Sequence, residues 1–422
     1  MNVLIFSYDW APSVGGVQSA MVSLAEGIAS KSADAQRLIG LVTQTPADRE
    51  YDRKFGFAVF RRPGWLRLAK LIQRCDVLHL AGPALRPLLL AKLFGKKVVI
   101  QHHGYQAICP DGLLLDSRTQ TSCENSFQRG DLVNCVGCRA ENIGWFRGAL
   151  SVALGYPRRW MSRRADANVS VSNHVKTKLN FPVSSTIYNG TQEPRVSPVF
   201  VSAPAPPYRV SAPPVFAFVG RLVPEKGVDV LLRAAAQLAR ERKFRLKIIG
   251  DGPEREKLKG LVNELNLLYV VEFFGWVQKP DLSTVIEDCA GVIMPSICEE
   301  AAPLSAIEQM MRGKLIIASD IGGLSEMVGA TGLKFPAGNA LALARCMELA
   351  IDDLELRRVL SCAAHLRARQ LFSADRMVTD HLTLYREVLA KRPVPRRSYR
   401  SAPSEAWIAS LGERVKSFIT AT

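Results

Sequence analysis

The chain has 422 residues, 48% of them hydrophobic and 22% charged, with 55 lysines and arginines against 39 aspartates and glutamates and a formal net charge of +16. Such a length and composition suit two domains with cores of their own and exclude intrinsic disorder, and the lack of any run of eighteen apolar residues excludes a spanning helix. The positive surplus leaves nucleic acid, an anionic membrane face or phosphorylated substrates as partners, and the lack of zinc-finger, RNP or basic-zipper patterns disfavours the first, so no nucleic acid is expected.

Residues 2–7 are an apolar run without a basic leader region, read as a first strand and not as a cleaved signal, which sets the expected location as cytoplasmic. The loop from Tyr8 to Val17 carries Gly15 and Gly16, and a helix is predicted from about Gln18 to Ala29. Strand, glycine loop and helix start is the arrangement in which backbone N–H groups approach an anion unobstructed. The spacing is not Gly-x-Gly-x-x-Gly, which disfavours a dinucleotide oxidoreductase. Short apolar runs at 38–42, 58–61 and 77–80 alternate with helical stretches at 66–72 and 84–94, which argues for a doubly wound parallel sheet. The strand from Lys96 ends in His102 and His103, and strand alternation turns the two rings to opposite faces.

Nine cysteines in a chain read as cytoplasmic argue against disulfides. Cys109, Cys123, Cys135 and Cys138, the last two as Cys-x-x-Cys, lie in an insert at about 105–145. They are compatible with a tetrahedral structural zinc and equally with unligated thiols, a redox pair being a third reading. Next, Trp145, Phe146, Leu150, Tyr156 and Trp160 are interleaved with Arg158, Arg159, Arg163 and Arg164. That pattern suits a helix lying on an anionic membrane surface, and equally a solvated face over core residues. Ser172 is placed to cap a helix after the strand at 167–172. Seven prolines between 194 and 214 make a linker, so the first domain is 1–193.

The second domain is read as 215–390, with a basic tail at 391–422 that forms one more amphipathic helix. Its first strand runs into Gly220-Arg221 and, five residues on, Lys226-Gly227, two cations able to grip a diphosphate, one by a fork and one as a point charge. Gly250 and Gly252 follow the next strand, Val277 the one after. The run Gly291–Met294 is a buried strand stopped by Pro295, and Pro303 suits the first turn of a helix on which Leu304, Ile307 and Met311 share a face. Glu300 falls in the loop before that helix and Glu308 on it, so two carboxylates reach different parts of one ligand.

Gly-Arg-x-x-x-x-Lys-Gly at 220–227, the glutamate pair Glu300 and Glu308 with seven residues between, and Ala301-Ala302-Pro303-Leu304 resemble the motifs of GT4, a family of retaining, nucleotide-sugar-dependent glycosyltransferases. The resemblance covers roughly residues 2–390. It implies the GT-B fold, α/β with two Rossmann-like doubly wound domains facing a central cleft, the first for the acceptor and the second for the donor. It also implies that Glu300 lies by the donor sugar, that Glu308 hydrogen-bonds the ribose, and that Arg221 and Lys226 hold the diphosphate with the Gly15-Gly16 loop. Gly220, Gly250, Gly252, Val277 and Leu304 fall at the family's nucleotide-contacting positions. His103 stands where the family has its histidine, with Gly104 in place of an aspartate, and lines the sugar pocket. The family needs no metal for catalysis. The expected reaction moves a sugar from a nucleoside diphosphate sugar to an acceptor hydroxyl, with retention by front-face substitution. The expected acceptor is a saccharide or lipid-linked saccharide at the inner face of a cell membrane, on a route to a bacterial surface polysaccharide or glycolipid. A nucleotide-sugar epimerase and a non-catalytic scaffold on the same fold are the rival readings.

Overall fold

The structure, a computed structural model, describes residues 1–13, 15–31, 37–123, 125–192 and 213–390. Apart from residues 213 and 214, the expected linker therefore lies outside the described residues, as does the expected tail helix. The chain divides into two compact units.

The first unit is built on strands β1 (Asn2–Ser7), β2 (Arg37–Thr43), β3 (Val59–Arg61), β4 (Val77–Ala81), β5 (Lys97–His102), β8 (Ala167–Ser170) and β9 (Ser184–Thr186), with a small pair β6 (Leu115–Asp116) and β7 (Thr121–Ser122). The main sheet has the order β3-β2-β1-β4-β5-β8-β9, and each of its pairings is parallel. Its helices are α1 (Gly16–Ser30), α2 (Arg49–Asp52), α3 (Trp65–Arg74), α4 (Leu85–Leu93), α5 (Ser126–Arg129), α6 (Leu132–Ile143), α7 (Trp145–Ser162) and α8 (Asn173–Leu179). The apolar runs form these strands because both faces of a parallel sheet are covered and every side chain must be buried. β1 obeys that rule from Val3 to Phe6. Ser172 caps α8 as its sequence predicts, its Oγ accepting from Val175 N at 3.2 Å.

In the second unit, β10 (Val215–Val219), β11 (Arg245–Ile249), β12 (Val271–Gly275), β13 (Cys289–Met294), β14 (Leu315–Ser319) and β15 (Leu333–Phe335) form an all-parallel sheet in the order β12-β11-β10-β13-β14-β15. The helices are α9 (Val228–Leu238), α10 (Arg255–Glu264), α11 (Lys279–Val285), α12 (Leu304–Met311), α13 (Gly322–Val328), α14 (Ala340–Asp352) and α15 (Leu354–Leu371). Pro303 is the residue before α12 instead of its first turn, and Leu304, Ile307 and Met311 are buried as their spacing requires.

The expected domain end at 390 needs correction. The last helix, α16 (Ala374–Leu389), belongs to the first unit, not the second. It packs on α1 and β5, and Gly27 of α1 lies so close that a Cβ there would stand 2.3 Å from Val378 Cγ2. The buried side of α16, with Met377, Val378, Leu382 and Tyr385, finds its apolar partner there.

Candidate active site

Both sheets reverse their winding once, between β1 and β4 and between β10 and β13. Ligands of such sheets bind beyond the carboxyl ends of the strands at that reversal. In the second unit the loop leaving β10 carries Gly220 and Arg221, makes a 3-10 turn over Pro224–Lys226 and enters α9 through Gly227. Gly227 has φ 62°, and a Cβ there would lie 2.1 Å from the Pro295 carbonyl oxygen, so only glycine lets this loop press against the one leaving β13. Ile297 N donates to Glu225 O at 3.0 Å and joins the two loops.

Glu300 sits at their junction. Lys226 Nζ donates to its Oε2 at 2.7 Å, and Ser296 Oγ donates to its Oε1. From a third loop, the one after β14, Gly323 N donates to the Glu300 carbonyl at 2.6 Å. Gly322-Gly323 form the first turn of α13. A Cβ on Gly323 would stand 1.9 Å from the Ala301 carbonyl oxygen. Burial by itself lowers the Lys226 pKa, but the Glu300 carboxylate beside it outweighs burial and holds the ammonium above its ordinary value. The two cations that the sequence reading makes converge are separated: Lys226 is drawn in by Glu300. Arg221 stays outside, its side chain 66% exposed and 3.7 Å from Glu225.

Around this junction, Leu304 opens α12 and is buried, and half-buried Glu308 sits one turn further along. The Glu308 backbone carbonyl accepts from Arg312 Nη1 at 3.1 Å. Gly250, with φ 136°, and Gly252 let the loop after β11 lie against the loop after β10: a Cβ would meet Gly220 O at 1.8 Å in the first case and Leu222 O at 2.3 Å in the second. Those two glycines are thus required by backbone packing. Val277 follows the edge strand β12.

In the first unit, the reversal opens into a cavity of about 610 Å³ whose wall includes Ser7, Asp9, Gln18, Arg86, His103 and Arg158. Gly15 precedes α1 and Gly16 starts it, with open space where a Gly16 side chain would be, and the wall itself is reached by the next residues, Val17 and Gln18. His103 leaves β5 toward the cavity, and its Nε2 is buried without a hydrogen-bond partner. Burial, reinforced by His381 and His102 nearby, pushes its pKa to about 3, so the ring is neutral at ordinary pH. His102 turns the other way, with Nε2 2.9 Å from Asn168 Oδ1, and burial lowers it to about 4. Behind His103 runs a buried chain that sequence reasoning missed: Tyr385 Oη stands 2.9 Å from His79 Nδ1, and His79 Nε2 stands 3.0 Å from Gln101 Oε1. No local signal links Tyr385 to His79, 306 residues apart in sequence.

All four insert cysteines are free thiols. Burial and then the neighbouring Cys109 and Cys123 push the Cys135 thiol up to about 12, so these sulfurs share one neighbourhood. Among the described residues no group of three or more histidines, cysteines, aspartates or glutamates is arranged to hold a metal. Two of the thiols have local contacts: Cys138 Sγ takes the Ser117 N–H at 3.4 Å and Cys123 Sγ lies 3.6 Å from Ser126 Oγ.

Residues 206–367 match the family model for glycosyl transferases group 1. A 2-deoxystreptamine glucosyltransferase of Streptomyces kanamyceticus is 33% identical over 186 residues, 42% of this chain and 46% of that protein. An alpha-D-kanosaminyltransferase of the same organism is 31% identical over 185 residues, so the chain spans about half the length of the curated relatives it matches. Among solved structures, Anabaena HepE in complex with UDP is similar with a TM-score of 0.67 at 18% identity, over 91% of this chain and 99% of that one. The chain has the GT-B fold, and residues 206–367, most of them in its second unit, are similar to the glycosyl transferases group 1 model.

Proposed function

We propose that this chain is a retaining glycosyltransferase of the GT4 type, moving a hexosyl group from a nucleoside diphosphate sugar to an acceptor hydroxyl. The observation that carries the reading is Glu300, met at the carboxyl edge of the second sheet by Lys226, Ser296 and the α13 backbone. The departing diphosphate gains negative charge while the anomeric carbon becomes cationic. Arg221 and Lys226 supply donors for the first, and the positive end of α12 adds to them. The Glu300 carboxylate faces the second, and the transfer proceeds by front-face substitution. Glu308 holds the ribose, and Gly220 and Val277 border the nucleotide. In the first unit, neutral His103 offers its unpartnered Nε2 to a sugar hydroxyl from the cavity wall. Catalysis on this scheme needs no metal.

A UDP sugar is the first donor to test, because HepE binds UDP-glucose. The acceptor class this reading favours is a lipid-linked saccharide, in the assembly of a surface polysaccharide or glycolipid. Thermal shifts with a panel of nucleotide sugars identify the donor, since a ligand at 100 times its Kd adds about 2.7 kcal/mol of stability. Release of nucleoside diphosphate that depends on acceptor, with the anomeric configuration kept, supports the reading. Epimerised donor formed without any acceptor overturns it.

A further inference from the structure

We propose that the outer face of α7 is a docking surface for an anionic phospholipid bilayer. The helix has 18 residues, about 27 Å at 1.5 Å per residue, and contains no acidic side chain. It is anchored from behind: Gly148 sits where a Cβ would be 3.2 Å from the Val136 carbonyl oxygen of α6, Gly155 packs against the Phe127 ring, and Val152 is buried; in the last turn Met161 is buried as well. The opposite stripe stays uncovered. Phe146 is 84% exposed, Leu150 51% and Trp160 56%, and these three fall on one side of the helix at i, i+4 and i+14. At the carboxyl end Arg163 and Arg164 are exposed, and the Arg164 guanidinium lies over the Trp160 ring at 4.3 Å.

Charge settles which occupant fits. Among the described residues, none of Arg147, Arg158, Arg159, Arg163 and Arg164 pairs with a carboxylate, and the nearness of Arg163 adds to burial in lowering the Arg159 pKa. A protein partner that was merely apolar would leave these cations crowded. A nucleic acid would leave Phe146 and Leu150 without a purpose. Phosphate headgroups over acyl chains answer both demands, taking the arginines in the headgroup layer and the aromatic and aliphatic tips beneath it. The surface extends onto α4, which packs against α7 and exposes Leu89 and Leu93. Among the described residues no helix is long and apolar enough to cross a membrane, so α7 lies on the bilayer and does not span it. Arg158 of the same helix turns away from this stripe and lines the cavity with His103.

The proposal is independent of the transferase reading and is tested without it. The full chain is sedimented with vesicles of phosphatidylglycerol and phosphatidylcholine, and with phosphatidylcholine alone. Binding is expected only to the anionic vesicles and is expected to weaken as salt rises. Arg163→Glu with Arg164→Glu removes two cations and adds two anions, which should weaken binding at least tenfold. Phe146→Ser with Trp160→Ser should do the same at unchanged melting temperature, while Leu268→Ser with Tyr269→Ser, exposed apolar residues of the second unit, should leave binding intact. Equal binding to neutral vesicles, or α7 variants that bind as the parent does, overturns the proposal. So does a parent that captures single-stranded DNA with vesicles unable to compete. Donor thermal shifts on the same variants report on the site separately and are expected not to change.

Discussion

Replacing Glu300 by alanine removes the acceptor for Lys226 Nζ and leaves the ammonium, whose side chain is only 20% exposed, without a counter-charge. Breaking a buried pair in this way costs about 3–5 kcal/mol, and the exposed fifth of the lysine places this one at about 3. Lys226→Met is expected to cost less, about 2 kcal/mol, because Ser296 still donates to the remaining carboxylate. The double variant Lys226→Met with Glu300→Ala leaves no uncompensated charge and should return to within about 2 kcal/mol of the parent. The cycle then closes with a coupling of about 3 kcal/mol or more. Urea unfolding followed by circular dichroism measures the four proteins. The folded pKa of Lys226 is raised, so the pair's contribution is fully present below the unfolded value of about 10.4 and is lost only as pH climbs through the folded one. The coupling should therefore be the same at pH 7 and pH 9. A Glu300→Ala protein as stable as the parent, or a coupling gone by pH 9, refutes the reasoning, and all three variants should lack transfer.

Arg221→Ala should leave stability within about 0.5 kcal/mol, since the side chain is mostly in water, yet lower kcat about 10²–10³-fold in a donor turnover assay. Gly323→Ala should displace the Glu300 loop, because the new methyl has no room beside the Ala301 carbonyl, and calorimetric titration with the donor should show its affinity lost while the far-ultraviolet spectrum is kept. His102 and His103 are neutral in the folded state and protonate near 6.5 when unfolded, so stability should fall as pH drops below about 6.5, by up to about 1.4 kcal/mol per unit for each ring until its folded pKa is reached. A melting temperature flat from pH 7 to pH 4.5 would contradict this. Tyr385→Phe strips the buried His79 Nδ1 of its partner at 2.9 Å and should cost about 1–3 kcal/mol by urea unfolding, with transfer retained.

The strands were legible because a buried parallel strand is apolar throughout: β1, β10 and β13 stand out in the sequence with edges nearly as drawn. β9, which reads Ser-Ser-Thr, has no apolar signal and was invisible; its backbone pairing with β8 holds it. The frames around Arg221, Lys226 and Glu300 located the loops correctly, but residue type and spacing carry no rotamer, so the capture of Lys226 by Glu300 and the outward Arg221 could not be foreseen. Two adjacent glycines ordinarily signal a turn, yet Gly322 and Gly323 start a helix, and what they provide is room for the Glu300 loop. Likewise nothing in the sequence of 374–389 says which unit the buried side of that helix meets.

With β1 to β9 drawn from residues 2–186 and α16 from residues 374–389, the ribosome delivers the pieces of the first unit at two widely separated times. Until α16 emerges, the strip of α1 around Gly27 and the His79 pocket have no cover, whereas the second unit already has all of its strands. Nascent chains that have exposed residues up to about 370 but not beyond should therefore present a finished second unit and a sticky, chaperone-seeking first one.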